Sequence, residues 1–357
     1  MLVTIISFIV VLGILVFFHE LGHFMIAKKV GVQVEEFAIG MGPKLIWKRY
    51  GETLYSIRAF PLGGFCAMTG EMPIDNEEAD SEDIKAYKEA LDKQKCLFQK
   101  SVWERFWVII MGPLMNFFLA ALLFSLIFII FGVPTSTSPT SLLGQVMPEG
   151  PAYRAGLRDG DKVLAINGES VENWDQLSAI IGENVGEELE FKVQRGEQAF
   201  DTTVVPEFDQ NQDRGVIGII PVLNREDVNV FKAIWLGIEQ TGMMIYGIII
   251  GLWGMLTGQI AGDLSGPVRI AQFIGDAARS GIIRLFEFSA LISINLGIMN
   301  LLPIPALDGG RLVFLGYEAI SGKPVDPEKE GMVHLVGFVL LMVLFVVIMV
   351  NDIRGII

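Results

Sequence analysis

The sequence predicts an α-helical polytopic membrane protein with four transmembrane helices, a membrane-associated β-hairpin and an inserted β-rich domain. Three observations carry that reading. Of the 357 residues, 52% are hydrophobic, and the mean hydropathy is +0.50. Four stretches, about 2–27, 106–132, 286–304 and 334–350, are apolar enough to cross a bilayer, which takes roughly 20 helical residues. Between the second and third of them, residues 139–206 change to short alternating apolar runs punctuated by Gly and Asp turns, the pattern of a small β-rich domain.

The first stretch lacks a basic leader and a small-residue cleavage site, and its apolar run is too long for a signal peptide, so it reads as a span. Lys28, Lys29, Lys44, Lys48 and Arg49 follow it, and Lys93, Lys95, Lys100 and Arg105 precede the second span. The positive-inside tendency then makes 28–105 cytoplasmic and puts the N-terminus and the inserted domain outside, as in a multi-pass protein of the cell inner (cytoplasmic) membrane. Cys66 and Cys96 fall on the reducing side, so no disulfide is expected. A net charge of −14 repels nucleic acid and anionic lipid alike, leaving the lipid bilayer core and other proteins as surroundings. Residues 51–71, "GETLYSIRAFPLGGFCAMTGE", alternate at Thr53, Tyr55 and Ile57 and carry turn chemistry at Pro-Leu-Gly-Gly, which predicts a hairpin against the membrane. The charged segment after it reads as a solvated loop and a short helix.

The chemistry sits inside the first span. His19 and His23 are four apart, so a helix places them on one face, about 6 Å apart along its axis, and Glu20 lies beside them. In H-E-x-x-H two imidazoles bind zinc and the glutamate is the base for hydrolysis. The pattern alone is common, but ionisable groups inside a span seldom persist without function. A catalytic zinc takes three protein ligands and an open position, and residues 24–34 offer no third ligand. The candidate is distant: in "INLGIMNLLPIPALDGGRL", 294–312, Pro303 and Pro305 break an apolar helix and Asp308 precedes two glycines. Prolines at that spacing unwind a helix end, and the glycines allow the turn that would aim Asp308 at the metal. Asn295 and Asn300 add polar groups at membrane depth.

His-Glu-Leu-Gly-His together with Asn-x-x-Pro-x-Pro-x-Leu-Asp-Gly-Gly resembles the site-2 protease family of intramembrane zinc metalloproteases. "MGPLMNFF" and "LSGPVRIAQ" (264–272) are similar to its bacterial RseP-type branch. Within the inserted domain, "EGPAYRAGLRDGDKVLAINGESVENWDQL" resembles a PDZ domain through its Ala-Gly-Leu, Gly-Asp and Ile-Asn-Gly order. A single PDZ domain fits the space, where the best-known Gram-negative members carry two. The resemblance implies one zinc ion held by His19, His23 and Asp308, with Glu20 as catalytic base. It also implies that Asn295 and Asn300 hold substrate, and that Gly64, Phe65, Cys66, Ala67 and Met68 of the hairpin pair with substrate as an added strand. Implied partners are single-span membrane proteins, such as pre-clipped anti-sigma factors or signal-peptide remnants, and peptide ends at the PDZ domain.

The expected domains are a membrane core at 1–132, the PDZ domain at 139–206, a linker with a membrane-associated segment at 207–285, and a second membrane core at 286–357. Within the linker, 234–256 has nearly the hydropathy of a span. If His19, His23 and Asp308 share one metal, spans one and three run the same way, so 234–256 is expected to lie on or re-enter the membrane instead of crossing it. The competing function is a non-catalytic membrane PDZ receptor with a structural zinc. Structural sites are closed by four protein ligands, whereas three and a base are visible here.

Overall fold

The computed structural model describes residues 1–71, 81–134, 140–148, 150–209, 214–222, 225–259 and 266–356. The chain divides into two units, Met1–Phe128 with Val230–Ile357, and Ile129–Asn229.

The first unit opens with α1 (Leu2–Lys29), an apolar helix closed by Lys28 and Lys29 in its last turn. Two strands follow, β1 (Val34–Tyr50) and β2 (Thr53–Met68). The expected hairpin over 51–71 is only half of this structure, because the sheet starts at Val34. Each strand folds back on itself at glycines with left-handed backbone, Gly40 and Gly42 in β1 and Gly63 in β2 (φ +86°, +83° and +89°), a conformation that costs glycine no Cβ clash. Phe37 therefore pairs with both Tyr55 and Cys66. The result is a four-segment sheet with 34–39 inside, Gly64–Met68 at one edge and 46–50 at the other. Glu36 secures it by accepting hydrogen bonds from Ser56 (2.6 Å) and Arg58 (2.7 Å).

The cytoplasm-side expectation of a short helix is met by α2 (Ser81–Asp92), while the loop expected over 72–80 lies outside the described residues. Next comes α3 (Val102–Phe131) with Pro113 in its interior. It crosses α1 where both helices carry small residues: a Cβ on Gly22 would stand 2.3 Å from Met111 O. Such close backbone approach is how apolar helices associate in lipid. Gly22→Val should lower the unfolding midpoint in detergent, at a cost of about 1–3 kcal/mol for overpacking.

The second unit contains β3 (Val133–Pro134), β4 (Leu143–Val146), α4 (Pro151–Arg154), β5 (Lys162–Ile166), β6 (Glu169–Ser170), α5 (Trp174–Glu183), β7 (Leu189–Arg195), β8 (Gln198–Val204), β9 (Glu207–Asp209), β10 (Arg214–Val216), β11 (Ile219–Pro221) and β12 (Arg225–Glu226). Its main sheet runs β6-β5-β7-β8 over a core of Leu143, Val163, Ile166, Leu177, Leu189 and Phe191. The unit extends past residue 206 because β11 returns to pair with β4 and β12 with β3. Short strands of that kind leave too little alternation to be read from sequence.

Back in the first unit are α6 (Val230–Leu256), α7 (Pro267–Ser280), α8 (Ile282–Leu301), α9 (Asp308–Ser321) and α10 (Pro327–Ile356). Among the described residues, five helices are long and apolar enough to cross a membrane: α1, α3, α6, α8 and α10. Four correspond to the expected spans. The fifth, α6, is one unbroken helix of 27 residues, without the break that a re-entrant segment needs.

Candidate metal centre

On α1, the four-residue spacing brings the His19 and His23 rings together, with Nε2 atoms 3.3 Å apart. Asp308 arrives from the other end of the sequence. α8 stops at Leu301, because Pro303 and Pro305 cannot continue its hydrogen-bond ladder, and α9 begins at Asp308 itself. The two following glycines are pressed against the backbone just passed: a Cβ on Gly309 would lie 2.1 Å from Leu302 O, and one on Gly310 2.5 Å from Ile304 O. That tight reversal brings Asp308 Oδ2 to 3.3 Å from His19 Nε2 and 3.5 Å from His23 Nε2.

These three ligand atoms lie within 4.8 Å of one another, and the surroundings fit a cation between them. Asp308 Oδ2 is buried without a hydrogen-bond partner. Each imidazole spends its other nitrogen on the protein. His23 Nδ1–H donates to Val108 O at 2.8 Å, beside the point where Pro113 interrupts the α3 ladder. His19 Nδ1 lies 3.1 Å from the side-chain amide of Asn116. The amide nitrogen faces the ring and the Asn116 carbonyl oxygen is buried and unpartnered; rotating the amide by half a turn would let that oxygen accept from His19 Nδ1–H and leave Nε2 its lone pair. Bonds of this kind fix the tautomer that a metal needs. Three lone-pair-bearing atoms facing one point repel each other unless a positive ion separates them.

Asn116, in the "MGPLMNFF" segment of α3, thus touches the ring of a candidate ligand. It is fully buried in mid-helix, and Ser293 of α8 donates to its backbone carbonyl at 2.7 Å. The signal was available: a polar side chain at membrane depth is expensive without a role. Asn116→Ala should weaken zinc retention or activity by roughly 10–100-fold, the usual effect of losing a ligand's supporting partner, measurable by chelator competition.

Glu20 borders the strand edge. A Cβ on Gly64 would meet Val16 Cγ1 at 2.8 Å and Glu20 Cγ at 3.4 Å, so only glycine lets Gly64–Met68 run this close to α1. Phe65 and Ala67 are half-buried there; Cys66 and Met68 are buried. Burial pushes the Cys66 thiol up, which keeps it neutral at ordinary pH; Cys66 and Cys96 are both free. Asn295 is exposed on α8 and Asn300 is half-buried near its end, so Asn295 does not share the face of Ser293, Ile294 and Gly297 that packs inward. His334 accepts a hydrogen bond at Nδ1 from Ala306 N–H (2.8 Å). It thereby supports the left-handed backbone of Ala306 (φ +74°), two residues before Asp308.

With the geometry in view, the comparisons are decisive. The sequence matches peptidase family M50 over residues 7–344. It is 40% identical to the zinc metalloprotease RasP of Geobacillus kaustophilus, with 98% of each chain covered, and 36% identical to the regulator of sigma-W protease RasP of Bacillus subtilis at the same coverage. A putative zinc metalloprotease of Clostridium acetobutylicum is 38% identical over 97% of this chain and 96% of its own. A PDZ domain of an SdrC-like protein from Listeria monocytogenes aligns with 25% of this chain and 92% of its own, at 20% identity and a TM-score of 0.21. The chain belongs to peptidase family M50, the site-2 protease type of zinc metalloprotease. It is a multi-pass membrane protein whose cofactor is zinc.

Proposed function

We propose that the protein cuts single-span membrane proteins within the bilayer, with Glu20 as general base and His19, His23 and Asp308 holding the zinc. The observation that carries this reading is the convergence of His19 Nε2, His23 Nε2 and Asp308 Oδ2 within 4.8 Å, on helices of membrane-spanning length and beside a sheet edge. When bound, zinc supplies a Lewis acid that polarises the scissile carbonyl and makes water more acidic. Glu20 takes the proton of the attacking water and returns it to the leaving amine. A helical substrate hides its peptide bonds in internal hydrogen bonds that lipid cannot replace. The backbone of Gly64–Met68 offers replacements by strand addition, and Gly64 lets that strand approach Glu20. Asn300, and Asn295 if the substrate reaches the exposed face of α8, supply side-chain hydrogen bonds to the unwound segment.

A four-span arrangement is supported by where the helices meet. α6 starts beside the far end of α3, with Gly237 against Ser125, and α7 lies against the start of α1, with Arg279 donating to Thr4 at 3.1 Å. At its own start α7 is capped by Asp352 near the end of α10, which accepts from Gly266 N–H and Arg269 N–H at 3.0 Å each. If α6 crossed fully, the ten residue steps from Leu256 to Gly266 would have to retrace the bilayer's roughly 30 Å almost fully extended, at about 3.3–3.6 Å per residue. On this reading α6 stays on the outer side with the N-terminus and the 129–229 unit, in the inner (cytoplasmic) membrane. That unit acts as a PDZ domain that receives peptide ends and selects shortened substrates, which suits anti-sigma factors already clipped outside, or signal-peptide remnants.

The test is mass spectrometry of fragments from a purified single-span substrate. A cut inside the apolar segment, reduced about tenfold or more when Phe65→Pro puts a proline into the edge strand, is the expected result. Cuts confined to the flanking soluble segments, or an unaffected Pro variant, would contradict the strand-addition role.

A further inference from the structure

Arg311 stands on the first turn of α9, three residues after Asp308, and pairs with the Glu71 carboxylate. Positions three apart on a helix are neighbours, with Cβ atoms about 5–6 Å apart. An arginine there has two carboxylates in reach: Glu71, across the fold, and Asp308, on its own helix. A guanidinium binds a carboxylate with two parallel N–H bonds, so an unrestrained Arg311 would compete directly with a metal for Asp308.

Glu71 is well placed to prevent this. It follows β2 directly: its N–H donates to Met68 O (3.2 Å), and Thr69 N–H donates to Gln33 O (3.0 Å). Thr69 Oγ1 also donates to Glu35 Oε1 at 2.8 Å. The carboxylate is therefore carried by the sheet and not by a free loop. Leu307 gives α9 no side-chain cap, and among the described residues the guanidinium of Arg311 donates its hydrogen bond to Glu71. The pair lines a cavity of about 830 Å³, together with Arg105, Glu318, Phe314 and His334. Arg105 is itself paired with Glu318; Glu330 also lines the cavity, and Glu71 is the carboxylate that accepts the Arg311 hydrogen bond.

We infer that Glu71 is a positioning residue that draws the Arg311 guanidinium away from Asp308 and so keeps the third ligand free for the metal. The inference rests on the metal-centre reading above. It also links the strand edge to the metal, because Gly64–Met68 and Glu71 belong to one continuous segment.

The experiment measures zinc loss to a chelator from the purified full-length protein, for wild type, Glu71→Gln, Arg311→Met, the Glu71→Gln/Arg311→Met double variant and Asp308→Asn. Circular dichroism and melting in the same detergent check that each variant folds. Glu71→Gln is expected to lose zinc at least about tenfold faster, in the range for lost supporting partners. Arg311→Met and the double variant should both stay near wild type, because removing the arginine removes the competitor. Excess zinc should restore kcat of Glu71→Gln without a change in KM. If Glu71→Gln holds zinc like wild type, or if the double variant loses it as fast as Glu71→Gln, the inference is wrong. If Asp308→Asn holds zinc like wild type, the metal-centre reading itself fails and takes the inference with it.

Discussion

Glu20→Gln is expected to abolish cleavage while leaving zinc in place. The substitution keeps the size of the side chain and removes only the proton acceptor. A positioned general base contributes roughly 10²–10⁴-fold, so the variant should fall to about a thousandth of wild-type kcat or below. The three proposed ligand atoms belong to other residues, and the hydrogen bonds that orient the imidazoles come from Val108 and Asn116. Metal content measured on the same preparation should therefore match wild type. Retention of substantial activity would remove Glu20 from the role of base. Loss of zinc along with activity would mean that the glutamate belongs to the metal site.

Gly112→Ala should be as damaging, by a different route. A Cβ at Gly112 would stand 2.2 Å from His23 Nε2 and 2.4 Å from its Cε1. The ring cannot retreat, since Val108 O holds its Nδ1 and α1 is packed against α3 at Gly22. The methyl group must displace His23 from the position where its Nε2 meets Asp308. We expect near-complete loss of zinc and of cleavage, while the fold persists, because the helix gains about 1 kcal/mol of intrinsic propensity from Gly→Ala. Zinc analysis with a thermal melt checks this; a folded Gly112→Ala protein with full zinc would show that His23 does not sit against α3 as described.

Much of this was legible in the sequence where a physical pattern repeats over many residues. The apolar runs of α1, α3, α8 and α10 announce themselves by length, and His19 and His23 by helical spacing. Asp308 is visible because prolines and glycines bracket it, and the same residues build the reversal that the structure displays. What escaped is what depends on long-range pairing. The sheet from Val34 to Met68 folds back at single glycines, and β1 takes partners on both sides, so no local alternation marks its start. Glu71 and Arg311 are separated by 240 positions, and neither carries a motif that predicts the other. Asn116 and Gly112 stood in a recognisable segment, but only the crossing of α1 and α3 gives them a ring to touch. α6 has the hydropathy of a span, and the proposal that it does not cross rests on its neighbours and on the short connection to α7, which hydropathy does not report.

The most direct measurement is zinc K-edge X-ray absorption on the active, purified protein, with metal content determined on the same sample. One zinc per chain is expected, in a shell of nitrogen and oxygen alone, with two imidazoles among its ligands and bonds of about 2.0–2.2 Å. A sulfur neighbour at about 2.3 Å would bring a cysteine into the shell and close the site. That result, or full activity in protein without zinc, would contradict a catalytic centre built from His19, His23 and Asp308.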